Sequence, residues 1–217
     1  MNSLNVTVID YGVGNLFSVQ RGLEYSGATV TVTSDHKKIL SSPRVVLPGV
    51  GAFSNAMHEL HRLGLVDVIR QLAQDKTPLL GICLGMQLLL DESEEFGITQ
   101  GLGLLPGSVI SLPDRTVAGD LQKIPHIGWN ALYPSNVSSD WSRTVLENTT
   151  VGEAVYFVHS FMAEPVNPAH RIADCEFGGH KIASVISNAN IIGCQFHPEK
   201  SGEVGLKILR KFCSLKK

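Results

Sequence analysis

A cysteine flanked by glycines is the residue best suited to chemistry in this sequence. Cys83 lies at the centre of Gly81-Ile82-Cys83-Leu84-Gly85, between an apolar strand-like run and a helix-like run. The G-x-C-x-G pattern is the cysteine form of the nucleophile elbow, a strained turn that lifts the central side chain clear of the backbone. Such a turn would place the thiol at a helix N-terminus, which favours the thiolate, and the Leu84 N–H beside a developing oxyanion. Taken alone, the pattern fits a buried structural cysteine equally well.

A histidine and a glutamate near the end of the chain supply what a thiol nucleophile requires. His197 and Glu199 stand two apart in the run Gln-Phe-His-Pro-Glu at 195–199, which follows an apolar segment. Residues two apart in an extended segment point to the same side, so the carboxylate can hold one ring nitrogen while the other faces the thiol. By itself this is slightly better explained as a solvated loop pair. Together with the elbow, it predicts a triad of Cys83, His197 and Glu199.

Two further patterns were weighed as cofactor or metal sites. His58 and His61 are three apart on a predicted helix, but no third ligand is evident, so a solvated helix face is the better interpretation. Gly12-Val13-Gly14 begins like a dinucleotide-binding loop, yet Phe17 occupies the place of the third small residue. The sequence therefore predicts neither a metal nor a cofactor.

Composition and charge limit the classes of binding partner and the cellular compartment that we expect. The chain has 217 residues, a net charge of -2 and four cysteines without a C-x-x-C pair. Nucleic acids and anionic membranes usually require a basic surface, so neither is expected as a partner. No apolar run is long enough to span a bilayer, and sparse unpaired cysteines fit a reducing compartment. We expect one domain over residues 1–217, located in the cytoplasm.

Alternating strand-like and helix-like segments predict the fold class. Strands are expected at 5–10, 29–33, 44–47 and 79–82, and helices at 15–25, 63–73 and from 84 to 90. After a polar loop at 135–142, closely spaced strands follow at 155–161, 171–177, 182–187 and 191–196, with a last helix at 203–212. The pattern predicts an α/β, flavodoxin-like three-layer sandwich: its mixed sheet is mostly parallel and has antiparallel additions.

Three motifs, in order along the whole chain, resemble those of the class I, triad-type glutamine amidotransferases. The nucleophile motif is Gly-Ile-Cys-Leu-Gly-Met-Gln at 81–87, and the base motif lies at 195–199. Pro-Gly-Val-Gly at 48–51 resembles the family's oxyanion strand. The resemblance implies hydrolysis of glutamine to glutamate and ammonia through a cysteine thioester. It also implies that Gly49, Val50, Gly51 and Leu84 meet the oxyanion.

Three other segments are similar to the glutaminase subunits of imidazole glycerol phosphate synthases. They are the segments at 10–16, 125–130 and 156–161. The similarity implies a heterodimer with a (β/α)8-barrel cyclase subunit, to which the ammonia passes in histidine biosynthesis. It implies substrate contacts at Gln87, His159 and Ser160, with Tyr156 in the same pocket, although His159 is equally explained as a packed strand histidine. Phe161 stands where the family commonly has tyrosine, so this chain lacks that hydroxyl.

The partner interface is expected at Asn15, Trp129 and Asn130. Tryptophan is enriched at interface anchors, although Trp129 could equally be core. Three rival functions remain open: an amidotransferase with another acceptor, a flavodoxin-like cysteine hydrolase or chaperone, and a non-catalytic regulatory subunit. The motif at 195–199 does not suit the second, and an intact triad argues against the third.

Overall fold

A mixed sheet of eight strands forms the centre of the molecule. The structure, a computed structural model, describes residues 4–135 and 140–216. The strands are β1 (Asn5–Ile9), β2 (Thr29–Thr33), β3 (Val45–Gly49), β4 (Leu79–Cys83), β5 (Glu92–Ser93), β6 (Thr99–Gln100), β7 (Gly107–Ser111), β8 (His126–Ala131), β9 (Tyr133–Pro134), β10 (Ala154–His159), β11 (Phe161–Pro165), β12 (Arg171–Phe177), β13 (His180–Asn188) and β14 (Ile191–Cys194). The α-helices are α1 (Leu16–Tyr25), α2 (His36–Leu40), α3 (Phe53–Arg62), α4 (Leu65–Gln74), α5 (Leu84–Gln87) and α6 (Gly202–Ser214).

The order of the strands confirms the predicted fold class. The large sheet runs β2-β1-β3-β4-β14-β13-β12-β9. The pairs from β2 to β14 are parallel, and those from β14 to β9 are antiparallel. Its parallel part follows the flavodoxin-type order, in which ligands bind at the carboxyl ends of the strands. We therefore expect the site at the carboxyl ends of β3, β4 and β14.

Alternation along the parallel strands builds a core on each face of the sheet. Val6 and Val8 pack on the same side as Leu23 of α1 and Phe212 of α6. Ile9 packs on the other side, with side chains of α3 and α4. Successive strand residues point to opposite faces, so one buried strand serves both cores. The result is the predicted arrangement of helix, sheet and helix layers.

The predicted strand at 155–161 is wrong as a single element of the main sheet. Its first part is β10, which pairs with β8 in a separate two-stranded sheet. Its end belongs to β11, which pairs with β7 in a four-stranded sheet. Ser160 separates the two strands, and periodicity alone could not show this change of partner. Of the polar loop predicted at 135–142, residues 136–139 lie outside the described residues.

The helix after Cys83 is shorter than predicted. It ends at Gln87 rather than Leu90. The carbonyl groups of Leu88 and Leu90 accept hydrogen bonds from the backbone N–H groups of Leu102 and Gly103 instead of continuing the helix. Tertiary hydrogen bonding therefore overrides the helical pattern. Across the described residues, no helix has both the length and the apolar character required to cross a membrane.

Candidate active site

Close packing around Cys83 explains the glycines on either side of it. Cys83 ends β4 with φ 53° and ψ −111°, in a region that side chains with a Cβ rarely occupy. A Cβ on Gly81 would lie 2.5 Å from the carbonyl oxygen of Gly85, and one on Gly85 would lie 1.9 Å from that of Leu47. Only glycine fits these contacts, so the sequence folds locally into the predicted elbow. Strain of this kind is typical of functional sites.

Three neighbouring parallel strands end at the same edge of the sheet and bring the predicted residues together. Gly49 of β3 is in register with Cys83 of β4, and Cys194 of β14 is in register with Ile82. His197 follows β14, and its backbone N–H donates to the carbonyl of Tyr156 in β10, 3.0 Å away. Segments far apart in the sequence thus meet at the carboxyl ends of β3, β4 and β14.

His197 and Glu199 form a buried pair, although not in the predicted extended segment. His197 Nδ1 lies 2.8 Å from Glu199 Oε1, and the side chains are only 3% and 1% exposed. Pro198–Lys200 is a 3-10 turn that begins with proline at its first position, so the prediction of extended backbone is wrong there. His197 itself is extended, and the turn folds the carboxylate back onto its ring.

The surroundings of His197 favour its protonated form. Burial lowers the pKa of His197, but the contacts with Cys83 and Glu199 outweigh burial and raise it from 6.5 to about 9. Nδ1 faces Glu199, and Nε2 is buried without a hydrogen-bond partner among the described residues. Nε2 is therefore the atom available to exchange a proton beside Cys83.

A cavity of about 480 Å³ opens over the cysteine and the histidine. Its lining includes Val50, Gly51, Cys83, Leu84, Gln87, Glu95, Phe96, Pro125, Val158, His159, Ser160, Phe161, His197 and Lys200. Most of the predicted site residues are thus gathered around one space. Tyr156 is not part of this lining; it pairs across strands with Trp129, and the two rings meet edge to face. Its expected place in the pocket is wrong, because its ring lies with that of Trp129 on the other side of the two-stranded sheet formed by β8 and β10.

The predicted oxyanion segment divides into a fixed part and an open part. Gly49 is buried in β3, and a Cβ there would lie 2.9 Å from both the Gly85 nitrogen and the Tyr11 hydroxyl oxygen. That hydroxyl, fully buried, donates to the Pro48 carbonyl at 2.7 Å. Val50 is 40% exposed, and Gly51 has φ +95° with open space where a side chain would be. The strand is therefore anchored at Pro48, whereas the glycine at position 51 allows more than one backbone orientation beyond that anchor.

Gln87 has a fixed amide at the wall of the cavity. Its Nε2 donates to the carbonyl of Phe161 at 3.0 Å and to Gln195 Oε1 at 3.1 Å. Both donors therefore point into the protein, and Oε1 is the atom left for a ligand in the cavity. A bound molecule would need an N–H group at this point.

Two charged residues in the lining were not found from the sequence. Glu95 accepts a hydrogen bond from the backbone N–H of Phe53, at the start of α3, over 2.6 Å. Lys200 is exposed and lies on the 3-10 turn after His197. They are the one carboxylate and the one lysine among the lining residues that the structure describes. Only the approach of distant segments makes them neighbours, so no local spacing could have identified them.

His159 is engaged in a buried pair with His126. Nδ1 of His159 lies 2.9 Å from the Phe161 carbonyl, so it carries the proton, and Nε2 accepts from His126 Nδ1 at 3.0 Å. Asn130 Nδ2 lies 3.4 Å from the remaining nitrogen of His126. Burial lowers the pKa of each histidine from 6.5 to about 4, so both are neutral near pH 7. His159 lines the cavity as a structural hydrogen-bonding group.

The residues predicted at a partner interface differ in their surroundings. Trp129 is 59% exposed, so the alternative that it belongs to the core is wrong. Asn130 is partly buried and also donates to the carbonyl of Glu176 at 2.6 Å. Asn15 is exposed and caps α1 by accepting from the Ser18 N–H. Trp129 and Asn15 are thus both exposed, and Trp129 offers the large apolar surface of an interface anchor.

The histidines weighed as metal ligands lie apart from this site. His58 and His61 are exposed on α3. Within residues 4–135 and 140–216, no group of three or more histidine, cysteine, aspartate or glutamate side chains is arranged to hold a metal ion.

Known proteins resemble this chain both in fold and in sequence. Solved structures share the fold: "Structure of PurLQS from Thermotoga maritima" has a TM-score of 0.69 and 19% identity, and covers 98% of each chain. A second, "Crystal structure of glutamine amidotransferase", has a TM-score of 0.70 and 15% identity, over 97% of this chain and 99% of that one.

Relatives in sequence are much closer. Imidazole glycerol phosphate synthase subunit HisH 1 of Legionella pneumophila (strain Lens) is 51% identical over 211 residues, 97% of this chain and 99% of that one. Subunit HisH of Geobacillus thermodenitrificans (strain NG80-2) is 46% identical over 210 residues, 97% of this chain and 95% of that one. Residues 7–215 match the family described as glutamine amidotransferase class-I. The chain therefore belongs to the class-I glutamine amidotransferase family, as its motifs predicted.

Proposed function

We propose that this chain is the glutaminase subunit of an imidazole glycerol phosphate synthase and that Cys83, His197 and Glu199 are its catalytic triad. The observation that carries the proposal is the meeting of Cys83 and His197 at one cavity, with Glu199 behind the histidine and 2.8 Å from its Nδ1. Subunits of that synthase are 43% to 51% identical to the chain over almost its whole length. The family match over residues 7–215 supports one amidotransferase domain over 1–217.

The reacting state is the ion pair in which Nε2 of His197 holds the Cys83 proton, as the raised pKa of that ring favours. The thiolate attacks the side-chain carbonyl carbon of glutamine, forming a C–S bond and an oxyanion. The tetrahedral intermediate collapses, the C–N bond breaks, and the imidazolium gives its proton to the departing ammonia. Water, deprotonated by the same ring, then cleaves the thioester and releases glutamate. Glu199 keeps the Nδ1 proton in place and stabilises the imidazolium throughout.

Oxyanion stabilisation comes from backbone N–H groups. The N–H of Leu84, next to the nucleophile, and one from Gly49, Val50 or Gly51 are the proposed donors. Removal of one such donor typically costs about 3 kcal/mol of transition-state stabilisation. Since Val50 and Gly51 lie beyond the anchored end of the strand, their N–H groups can turn away when the partner is absent. We therefore expect the isolated subunit to be nearly inactive.

The amino-acid end of glutamine is matched by the polar lining of the cavity. The α-ammonium group finds acceptors in Glu95 and in Oε1 of Gln87, and Lys200 offers a positive charge for the α-carboxylate. Ser160 adds a hydroxyl to the same wall. Glutamate has the same α-ammonium and α-carboxylate groups, so these contacts bind substrate and product alike. Discrimination between glutamine and glutamate therefore depends on contacts with the side-chain amide.

The ammonia passes to a cyclase subunit with a (β/α)8 barrel, in a cytoplasmic heterodimer. Its acceptor would be a phosphoribulosyl-formimino aminoimidazole carboxamide ribonucleotide, and the products would be imidazole glycerol phosphate and an aminoimidazole carboxamide ribotide. Trp129 supplies an aromatic surface for docking, with Asn15 and Asn130 as further contacts. Four free cysteines are typical of a reducing compartment, which supports the cytoplasmic location.

The test is glutamate release from glutamine, measured with and without the cyclase subunit and its ribonucleotide. We expect strong stimulation by the complete pair, and its loss in Cys83→Ala. Cys175→Ala, which removes a buried thiol in β12, is the matched control and should remain stimulated. Absence of stimulation by this partner would favour an amidotransferase with another acceptor. Activity that survives in Cys83→Ala would contradict the triad.

A further inference from the structure

Gln195 is a fully buried glutamine beside the nucleophile that no step described above uses. Cys194 of β14 is in parallel register with Ile82 of β4, so the next residue of each strand, Gln195 and Cys83, are neighbours. The Gln195 backbone N–H is satisfied by the carbonyl of Ser184 at 2.9 Å. A buried amide side chain is costly unless its donors and acceptor are paired, so its partners reveal what it does.

A fixed backbone carbonyl determines which way the Gln195 amide points. The carbonyl of Phe161 can only accept, so the atom of Gln87 that faces it is Nε2. The same Nε2 meets Gln195 at 3.1 Å, and that atom of Gln195 must therefore be the acceptor Oε1. The Gln195 Nε2 donor is left facing Cys83 Sγ at 3.8 Å. Within the described residues, the sulfur is its hydrogen-bond partner.

The polar groups around the sulfur change roles when the thiol loses its proton. The thiol directs its hydrogen towards the carbonyl of Val158, 3.9 Å away. A thiolate in that position would face the negative end of the same carbonyl dipole and would require donors elsewhere. Gln195 Nε2 supplies one from the protein side, and the protonated ring of His197 supplies the other.

We infer that Gln195 is a further catalytic residue, which donates a hydrogen bond to Cys83 Sγ and holds the thiolate in its attacking position. Gln87 is the positioning residue that fixes the orientation of the Gln195 amide. This inference rests on the proposed role of Cys83 as the nucleophile.

The experiment measures alkylation of Cys83 by iodoacetamide as a function of pH, followed by peptide mass spectrometry. Gln195→Met removes the donor at similar side-chain length, and Gln195→Glu places an acceptor in the same shape. The nearest titratable groups, His197 and Tyr11, are unchanged in both variants. We expect the alkylation midpoint to rise by about one pH unit in Gln195→Met and further in Gln195→Glu, as expected for loss of a hydrogen bond to a charged group.

Turnover in the complete complex provides the second readout. We expect kcat to fall by about tenfold in Gln195→Met, with KM for glutamine nearly unchanged, because Nε2 touches the sulfur and not the substrate. Ile192→Val, a buried change on the same strand, controls for general loosening and should leave the alkylation midpoint in place.

Two results would overturn the role of Gln195. One is a folded Gln195→Met protein with the wild-type midpoint; the other, should that variant not fold, is a wild-type midpoint in Gln195→Glu. Failure of the proposed function gives a different signature, namely activity in Cys83→Ala. Even then, the alkylation curves would report whether Gln195 acts on the sulfur.

Discussion

Replacement of Glu199 by glutamine isolates the effect of one buried charge on His197, the proposed catalytic base. Glutamine has the same shape, and the Glu199 side chain is buried, with only 1% of its surface exposed. The contact at Oε1 can be kept, but the charge that favours the imidazolium is lost. We therefore expect Glu199→Gln to fold normally and to change the protonation of His197.

The magnitude follows from the pKa of His197. Its contacts with Cys83 and Glu199 raise that pKa from 6.5 to about 9 against the opposing effect of burial. If removal of the charge lowers the pKa of His197 by roughly two units, the imidazolium loses about 3 kcal/mol of stabilisation. A loss of that size in the transition state corresponds to a fall of about 100-fold in kcat.

The dependence of activity on pH shows in which direction the pKa of His197 changes. The imidazolium must donate its proton to the ammonia, so activity falls as pH rises through the pKa of His197. The falling limb should lie near pH 9 in the wild type. In Glu199→Gln we expect it at lower pH, by about two units. Glu203→Gln, which removes an exposed carboxylate on α6 that pairs with Arg210, is the matched control and should keep the wild-type limb. An unmoved limb with kcat within about twofold of the wild type would refute the reasoning.

Three other predictions follow from the fold and its surface. Gly85→Ala should lower the free energy of unfolding in urea by about 3 kcal/mol or more, because its Cβ would meet the Leu47 carbonyl. The control Gly119→Ala has open space around the new Cβ but φ +91°, and it should lower the free energy of unfolding by only about 1 kcal/mol. Equal losses in the two variants would contradict the explanation by packing. Trp129→Ala should weaken cyclase binding in titrations of the stimulation by about 30-fold, or about 2 kcal/mol, without changing the urea midpoint; an unchanged affinity would remove Trp129 from the interface. His126 and His159 have folded pKa values of about 4, below the unfolded value of 6.5, so the unfolded state binds more protons as pH falls from 6.5 to 4. Each should destabilise the protein by about 2 kcal/mol at pH 5, and a His126→Phe variant with the full acid sensitivity of the wild type would count against this origin.

Local sequence features made the elbow at Cys83 and the contact between His197 and Glu199 predictable. Gly81 is required by backbone crowding against Gly85, only four residues away, and His197 and Glu199 form their contact across a single turn. The parallel half of the sheet could also be predicted from the sequence, because each buried strand is a short apolar run bounded by turn residues. The reason given for the pairing of His197 and Glu199 was nevertheless wrong, since their backbone forms a 3-10 turn.

Long-range contacts account for what the sequence did not show. Glu95 and Lys200 reach the cavity from segments about one hundred residues apart, and neither belongs to a recognisable spacing. The strand at 155–161 changes its partner at Ser160, where the hydrophobic pattern continues. The helix after Cys83 stops because Leu102 and Gly103 bond to its would-be last turn. Each of these features depends on which distant segments approach one another in the folded chain. Local patterns in a single sequence do not reveal those contacts.

The most direct test of the central claim is to trap the covalent intermediate on Cys83. Radiolabelled glutamine, mixed with the stimulated complex and quenched in acid within the first turnover, should leave label bound to the glutaminase subunit. The label should be released by hydroxylamine, as expected of a thioester, and should map to the peptide that contains Cys83. Cys83→Ala should retain none. Label on another residue, or ammonia release without any trapped thioester, would contradict the account.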